Sequence, residues 1–190
     1  SEDEFILFYA AEFSQRKNQI LLIHVINALK NKIPAIRLLL AGTGDLLEPC
    51  RNLTEQLHIR EHVQLLGYQK NIHELLSISD AAVSSSRQEG LPVNIMEAMA
   101  TGLPVIATRC RGNRDLVSHG HNGILVDIDD IEQMAEAIQH YFFANKTLQA
   151  TYGRNSLKRI EAYSLPCVLT EMKKIYNLVM LMNDHKQQRT

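Results

Sequence analysis

Two glutamates, Glu89 and Glu97, stand eight residues apart in the segment EGLPVNIME, and their setting is suited to binding chemistry. Pro92 favours the first turn of a helix, where its missing N–H costs nothing. A helix beginning there places Glu97 roughly 7.5 Å along the axis and leaves the N–H groups near 90–94 unpaired. Such a helix end attracts phosphate, and carboxylates accept strong hydrogen bonds from sugar hydroxyls. The segment indicates a site for a phosphorylated sugar or a nucleotide sugar; the alternative is that both glutamates are ordinary solvated side chains.

Two further segments have the composition of phosphate-binding loops. Gly42 and Gly44 follow an apolar run, and glycine lets the backbone approach a ligand closely. The pattern lacks the third glycine of a dinucleotide fingerprint, so a tight strand-to-helix turn explains it equally well. Lys17, preceded by Arg16, follows the first apolar run and could pair with a diphosphate, or it could be a solvated charge at a helix start.

The segment 109–114 is expected to be a basic loop, made flexible by Gly112 and Asn113. Its arginines either bind anions or form a basic surface; they are Arg109, Arg111 and Arg114. His58 and His62 are four residues apart, but the chain is expected to enter a strand at His62, so the two do not share a helix face. His119 and His121 form a loop pair without carboxylate or cysteine partners nearby, and no metal site is expected. No Gly-x-Ser-x-Gly segment is present, which argues against a serine hydrolase.

The composition excludes several other classes. The chain has 190 residues, 45% of them hydrophobic, and a net charge of -1, which argues against a nucleic-acid binder. No apolar run is long enough for a transmembrane helix. Three scattered cysteines predict a reducing, cytoplasmic compartment. Because the chain enters a strand at once without an initial Met, we expect it to be part of a longer protein.

Short apolar runs alternate with amphipathic segments, which predicts an α/β fold with a Rossmann-like, doubly wound parallel sheet in a single domain over 1–190. The predicted strands are 5–10, 37–41, 63–66, 81–84, 104–108 and 123–126. The predicted helices are 18–30, 46–57, 72–78, 92–100, 130–143, 146–162 and 166–182. Ligands of such sheets bind beyond the carboxyl ends of the strands, where the loops collect the glycine, serine, lysine and arginine residues.

These residues carry a family resemblance. The run LGYQKNIHELLSISDAAVSSSRQEGLPVNIMEAMATGLPVIAT, followed by GNRDLVSHGHNGILV, resembles the donor domain of glycosyltransferase family 4. The upstream segments SQRKNQ and LLLAGTG stand in the matching order, so the resemblance covers roughly 5–180. It implies the C-terminal half of a GT-B fold, with the acceptor site in an N-terminal domain that is absent here.

The resemblance also implies roles for individual residues. Glu89 would contact the donor sugar near its anomeric carbon as the catalytic-site residue, Glu97 the ribose hydroxyls, and Lys17 the diphosphate. Backbone N–H groups would reach the distal phosphate or the sugar from Gly90, Leu91 and Val93, and the nucleotide would lie close to Gly42 and Gly44. The loop 67–70 would border the base. Additional candidates for the site are Arg16, Tyr68, Arg87, Gly112 and Asn113.

The implied reaction is retaining transfer of a hexose from a nucleotide sugar, without metal or other cofactor, to a glycan or lipid-linked acceptor. Relatives in exopolysaccharide and capsule synthesis imply a role in cell-surface polysaccharide synthesis. The full-length protein would act in the cytoplasm or at the inner face of the membrane, which it would contact through its other half. The last predicted helix has an apolar end, 178–182, which we expect to cross to the N-terminal domain.

One position departs from the family pattern. Glu12 stands five residues before Lys17, where the family commonly has an arginine that binds the diphosphate. The positive charge would then come from Lys17, helped by Arg16 or Arg87. Two alternatives stay open: a nucleotide-sugar binding module without transfer activity, and a nucleotide-sugar epimerase of GT-B architecture.

Overall fold

Six strands form one parallel sheet in the order β3-β2-β1-β4-β5-β6 in a computed structural model that describes residues 4–187. The strands are β1 (Phe5–Ala10), β2 (Ile36–Ala41), β3 (Val63–Gly67), β4 (Ala81–Ser84), β5 (Val105–Thr108) and β6 (Gly123–Val126). This order is that of a Rossmann fold, and it confirms the predicted fold class.

Helices connect the strands and cover both faces of the sheet. They are α1 (Gln19–Leu29), α2 (Leu47–Gln56), α3 (Ile72–Ser77), α4 (Val93–Ala100), α5 (Arg111–Leu116), α6 (Ile131–Phe143), α7 (Lys146–Ile160) and α8 (Leu165–Gln187). A 3-10 turn, Glu161–Tyr163, separates the last two helices.

The central strand β1 shows why the sheet is apolar throughout. Leu7 and Tyr9 belong to the core on the side of α1 and α6, whereas Phe8 belongs to the core on the side of α4. Successive side chains of a strand point to opposite faces, so a strand covered on both sides must be apolar at every position. This is the pattern FILFYA that predicts a buried strand.

The predicted loop 109–114 is wrong: most of it forms α5. Gly112 and Asn113 are buried in this helix. Glycine and asparagine have low helix propensity, so tertiary packing overrides the local preference here. A smaller difference is that Pro92 lies at the N-cap of α4 with extended backbone, one position before the first helical residue.

Candidate nucleotide-sugar site

The site lies where the strand order reverses, between β1 and β4. Crevices at such switch points, beyond the carboxyl ends of the strands, are the usual ligand sites of open α/β sheets. Lys17 is on the loop after β1, Glu89 is on the loop after β4, and the two strands are neighbours. The Lys17 Nζ lies 2.6 Å from Glu89 Oε1. The sheet topology therefore joins two predicted site residues that are 72 positions apart.

Glu89 is a buried carboxylate with several donors around it. The residue is 6% exposed. Its Oε1 accepts hydrogen bonds from Lys17 and from the Ser86 hydroxyl, and both distances are 2.6 Å. Arg16 lies on the exposed side, with its guanidinium 3.5 Å from Oε2. A buried charge is stable only with such partners, so this carboxylate is held by hydrogen bonds within the protein and is not a solvated surface group.

The amino end of α4 has the geometry of an anion-binding helix end. No side chain caps this end, and the backbone N–H groups of Val93 and Asn94 have no partner within residues 4–187. The side chains of Leu91 and Val93 are exposed. Unpaired N–H groups at the positive end of the helix dipole favour a phosphate or another anion.

Gly90 stands beside this helix end in an unusual environment for a glycine. A Cβ built on Gly90 would meet no atom within 4 Å, and its backbone does not have a positive φ. Gly112 is the opposite case, because its Cβ would lie 2.4 Å from the Gly90 carbonyl oxygen. The α5 helix thus packs on the Gly90 loop, whose other side is open.

Gly42 and Gly44 are required by the packing of the protein itself. Their φ angles are 139° and 146°, which favour glycine. A Cβ on Gly42 would lie 2.0 Å from the Ala11 carbonyl oxygen, and one on Gly44 would lie 2.4 Å from the Phe13 carbonyl oxygen. The tight-turn interpretation accounts for both glycines, and an additional approach by a nucleotide stays a prediction.

Two open grooves lie on this side of the domain, and one of them borders the end of β1. One, of about 480 Å³, is lined by Gly42, Gly44, Tyr68 and Glu12, the residue that departs from the family pattern. The other, of about 560 Å³, lies between α3 and α4 and contains Glu97. Glu97 is exposed and separate from the Lys17–Glu89 pair. Ile72 lines both grooves, so they adjoin.

Arg87 is engaged in structural contacts rather than directed toward an open site. Its guanidinium lies 2.9 Å from Asp129 Oδ1 and donates to the Gln15 carbonyl oxygen at 2.7 Å. Asp129 also accepts from the Asn18 side-chain amide. These contacts tie together the loops after β1, β4 and β6.

The other candidate residues of the 109–114 segment divide into two groups. Arg109 interacts with Asp127, while Arg111 and Arg114 are exposed. Asn113 is fully buried, and its amide donates to the Thr108 carbonyl oxygen at 2.9 Å. Gly112 and Asn113 therefore lie behind the loop that carries Glu89 and Gly90, where they pack against it and against the end of β5. Within the part of the chain that the structure describes, no three potential ligands cluster as a metal site.

Sequence reasoning missed two residues of the site, Tyr9 and Ser86. The Tyr9 hydroxyl lies 2.7 Å from Ser86 Oγ, which donates to Glu89. The spacing of three between Ser86 and Glu89 could have indicated the second contact. Tyr9 gave no signal, because an apolar strand is expected to contain aromatic residues.

The six-stranded parallel sheet with helices on both faces is a Rossmann-like fold of the kind found in GT-B glycosyltransferases. The chain belongs to the family described as Glycosyl transferases group 1, whose sequence pattern matches residues 1–159. This confirms the family resemblance.

Several relatives of this chain are named as glycosyltransferases or putative glycosyltransferases. The putative glycosyltransferase EpsD of Bacillus subtilis is 38% identical over 96% of this chain and 48% of its own length. An Escherichia coli protein named UDP-Gal:alpha-D-GlcNAc-diphosphoundecaprenol alpha-1,3-galactosyltransferase is 33% identical over 57% of this chain and 28% of its own length. The chain thus spans about half the length of EpsD.

A solved structure has the same fold. TarM of S. aureus, in a complex that includes UDP, superposes with a TM-score of 0.85 at 27% identity, covering 92% of this chain and 36% of TarM. In the described residues no helix is long and apolar enough to cross a membrane.

Proposed function

We propose that this chain is the C-terminal, donor-binding domain of a retaining glycosyltransferase. It binds a nucleotide sugar and, with an N-terminal acceptor domain, transfers the hexose to a glycan or lipid-linked acceptor in cell-surface polysaccharide synthesis. The observation that carries the proposal is the Lys17–Glu89 pair at the switch point, next to the uncapped end of α4.

The chemistry follows from the charges at this junction. The leaving group of the transfer is a nucleoside diphosphate, on which negative charge develops as the glycosidic bond breaks. The Lys17 ammonium and the α4 N–H groups stabilise that charge, a preorganised electrostatic role that needs no metal or other cofactor. Lys17 donates one hydrogen bond to Glu89, and its ammonium has two further donors for phosphate oxygens.

Glu89 accepts hydrogen bonds from hydroxyl groups of the donor sugar. Glu97, in the adjoining groove, accepts hydrogen bonds from the ribose hydroxyls. The exposed ring of Tyr68 borders the base in the other groove. Uridine diphosphate sugars are the first donors to test, because UDP is named in the TarM complex and in the E. coli relative.

Glu12 contributes no positive charge to this arrangement. Arg87 is bound to Asp129, so Arg16, whose guanidinium lies near Glu89, is the second cation of the diphosphate site. The exposed apolar residues of α8 pack against the N-terminal domain. The isolated chain has no transfer activity, since half of the cleft that orients the acceptor and excludes water is missing. The whole protein acts in the cytoplasm or at the inner face of the membrane.

A two-part experiment tests the proposal. A thermal-shift screen with UDP, GDP and ADP sugars identifies the nucleotide, and transfer is then measured with the full-length protein. Glu89→Gln abolishes transfer while the protein stays folded at the assay temperature, although loss of the ion pair with Lys17 lowers its melting temperature. Glu136→Gln, at an exposed position of α6, is the control and keeps full activity.

Two outcomes would replace the proposal. Nucleotide binding without turnover of any donor identifies a binding module without transfer activity. Release of a free, epimerised sugar in the absence of an acceptor identifies an epimerase.

A further inference from the structure

A chain of buried hydroxyl groups lies beneath the site and ends on Glu89. The Tyr9 hydroxyl is 2.7 Å from Ser86 Oγ, and Ser86 Oγ is 2.6 Å from Glu89 Oε1. Tyr9 is 2% exposed and Ser86 is fully buried. The chain runs from the middle of the sheet to the carboxylate, and solvent does not reach it.

The direction of the hydrogen bonds is fixed by chemistry. An ionised carboxylate only accepts, so Ser86 donates its single proton to Glu89. The Ser86 oxygen then accepts from Tyr9, the nearest donor. Burial raises the pKa of the Tyr9 hydroxyl, which keeps its proton available for this bond.

The two oxygens of Glu89 are left in different environments. Oε1 accepts from both Lys17 and Ser86, whereas the Arg16 guanidinium lies 3.5 Å from Oε2. That distance is longer than a charge-assisted hydrogen bond. Oε2 is therefore the oxygen that remains able to accept a hydroxyl of a ligand.

The backbone that carries Ser86 is itself fixed. The Thr108 hydroxyl at the end of β5 donates to the Ser86 carbonyl oxygen, and Asn113 on α5 donates to the Thr108 carbonyl oxygen. The position of the Ser86 hydroxyl is thus determined by three elements of the sheet edge. Nothing in this network touches the surface.

We propose that Tyr9 and Ser86 are positioning residues, which hold Glu89 Oε1 inward so that Oε2 faces the sugar of a nucleotide-sugar donor. The inference rests on the proposed function. It assigns the hydroxyl chain to recognition of the sugar, and not to binding of the nucleotide. Without the Ser86 bond only Lys17 holds Oε1, so the carboxylate is less firmly oriented and the sugar contact weakens.

The test separates the contribution of the sugar to the binding affinity from that of the nucleotide. Calorimetry measures the dissociation constants of the nucleoside diphosphate and of the corresponding nucleotide sugar for the wild type, Ser86→Ala and Tyr9→Phe. Affinity for the nucleotide sugar falls about tenfold in Ser86→Ala and about threefold in Tyr9→Phe, whereas affinity for the nucleoside diphosphate changes less than about twofold.

Tyr141→Phe is the matched control. Tyr141 is also a buried tyrosine of the same core, but its hydroxyl donates to the Asp80 carbonyl oxygen, away from the site. This variant shows the stability effect of losing a buried hydroxyl and keeps wild-type affinity for both ligands. The double variant Tyr9→Phe/Ser86→Ala binds no more weakly than Ser86→Ala alone, because Tyr9 acts through Ser86.

Two results would overturn the inference. One is a proportional loss of affinity for both ligands in the Tyr9 and Ser86 variants; the other is wild-type behaviour of both variants while Glu89→Gln loses the sugar contribution. Failure of the proposed function has a different signature: the wild type binds no nucleotide sugar, or Glu89→Gln binds it as tightly as the wild type, which overturns both claims.

Discussion

Gly90→Ala separates ligand binding from folding more sharply than any other glycine substitution in this chain. Of the nine glycines, five have a positive φ that favours glycine, and three others would place a Cβ within 2.4 Å of a backbone oxygen. Only Gly90 has neither constraint. The fold therefore gives no reason for glycine at this position, and close approach of a ligand to the backbone does.

The magnitude of the two effects follows from this geometry. A methyl group on Gly90 meets nothing within 4 Å, so the folded state is unstrained. The loss of backbone freedom in the unfolded chain then stabilises the protein by about 0.4–1 kcal/mol. A phosphate or sugar oxygen accepting from the backbone would lie about 2.9 Å from a nitrogen, where a methyl group interferes with its approach. We expect the affinity for the nucleotide sugar to fall at least about tenfold, or about 1.4 kcal/mol.

Chemical denaturation and calorimetry measure the two effects on the same sample. Gly120→Ala is the control, because Gly120 also has free space around a Cβ but has a φ of 74°. Gly120 lies near the amino end of β6, whereas the site lies beyond the carboxyl ends of the strands. Its substitution therefore lowers stability without changing the affinity for the ligand. Wild-type ligand affinity in Gly90→Ala would refute the assignment of this loop to the ligand.

Three further predictions concern stability and assembly. Gly42→Ala lowers the free energy of unfolding by about 2–4 kcal/mol, as measured by urea denaturation, because its Cβ and the Ala11 carbonyl oxygen cannot occupy the same space; unchanged stability would contradict the observed contact. Burial raises the pKa of Cys50 from 9.0 to about 11, so its proton loss favours the unfolded chain as the pH rises from about 9 to 11. Over that range the free energy of unfolding falls by about 3 kcal/mol. Denaturation at several pH values should show that this fall is absent in Cys50→Ala. An identical pH profile in the variant would contradict the assignment to Cys50. Met172→Lys, on the exposed side of α8, leaves the melting temperature of this chain unchanged but lowers that of the full-length protein. An unchanged melting temperature of the full-length protein would show that α8 lies apart from the N-terminal domain.

The strands were predictable from the sequence because a parallel sheet covered on both faces leaves a continuous apolar signal, as in FILFYA. The helix α5 was not, since Gly112 and Asn113 have low helix propensity and are held by contacts to Gly90 and Thr108. Those contacts exist only in the folded chain.

The same distinction applies to the site. Placing Lys17 and Glu89 on loops after apolar runs was sufficient to expect them at one edge of a sheet. Their direct contact depends on β1 and β4 being neighbours, which the strand order decides. The engagement of Arg87 by Asp129 and the link from Tyr9 to Ser86 join residues 42 and 77 positions apart. No local pattern specifies such contacts.

Calorimetric titration of the wild type and Lys17→Met with the nucleoside diphosphate from the thermal-shift screen tests the central claim most directly. Lys146→Met, at an exposed position on α7, is the matched control. The account predicts binding of one nucleotide per chain in the wild type and the control, and at least about tenfold weaker binding in Lys17→Met. Equal affinity in all three proteins, or no binding of any nucleoside diphosphate by the wild type, would contradict it.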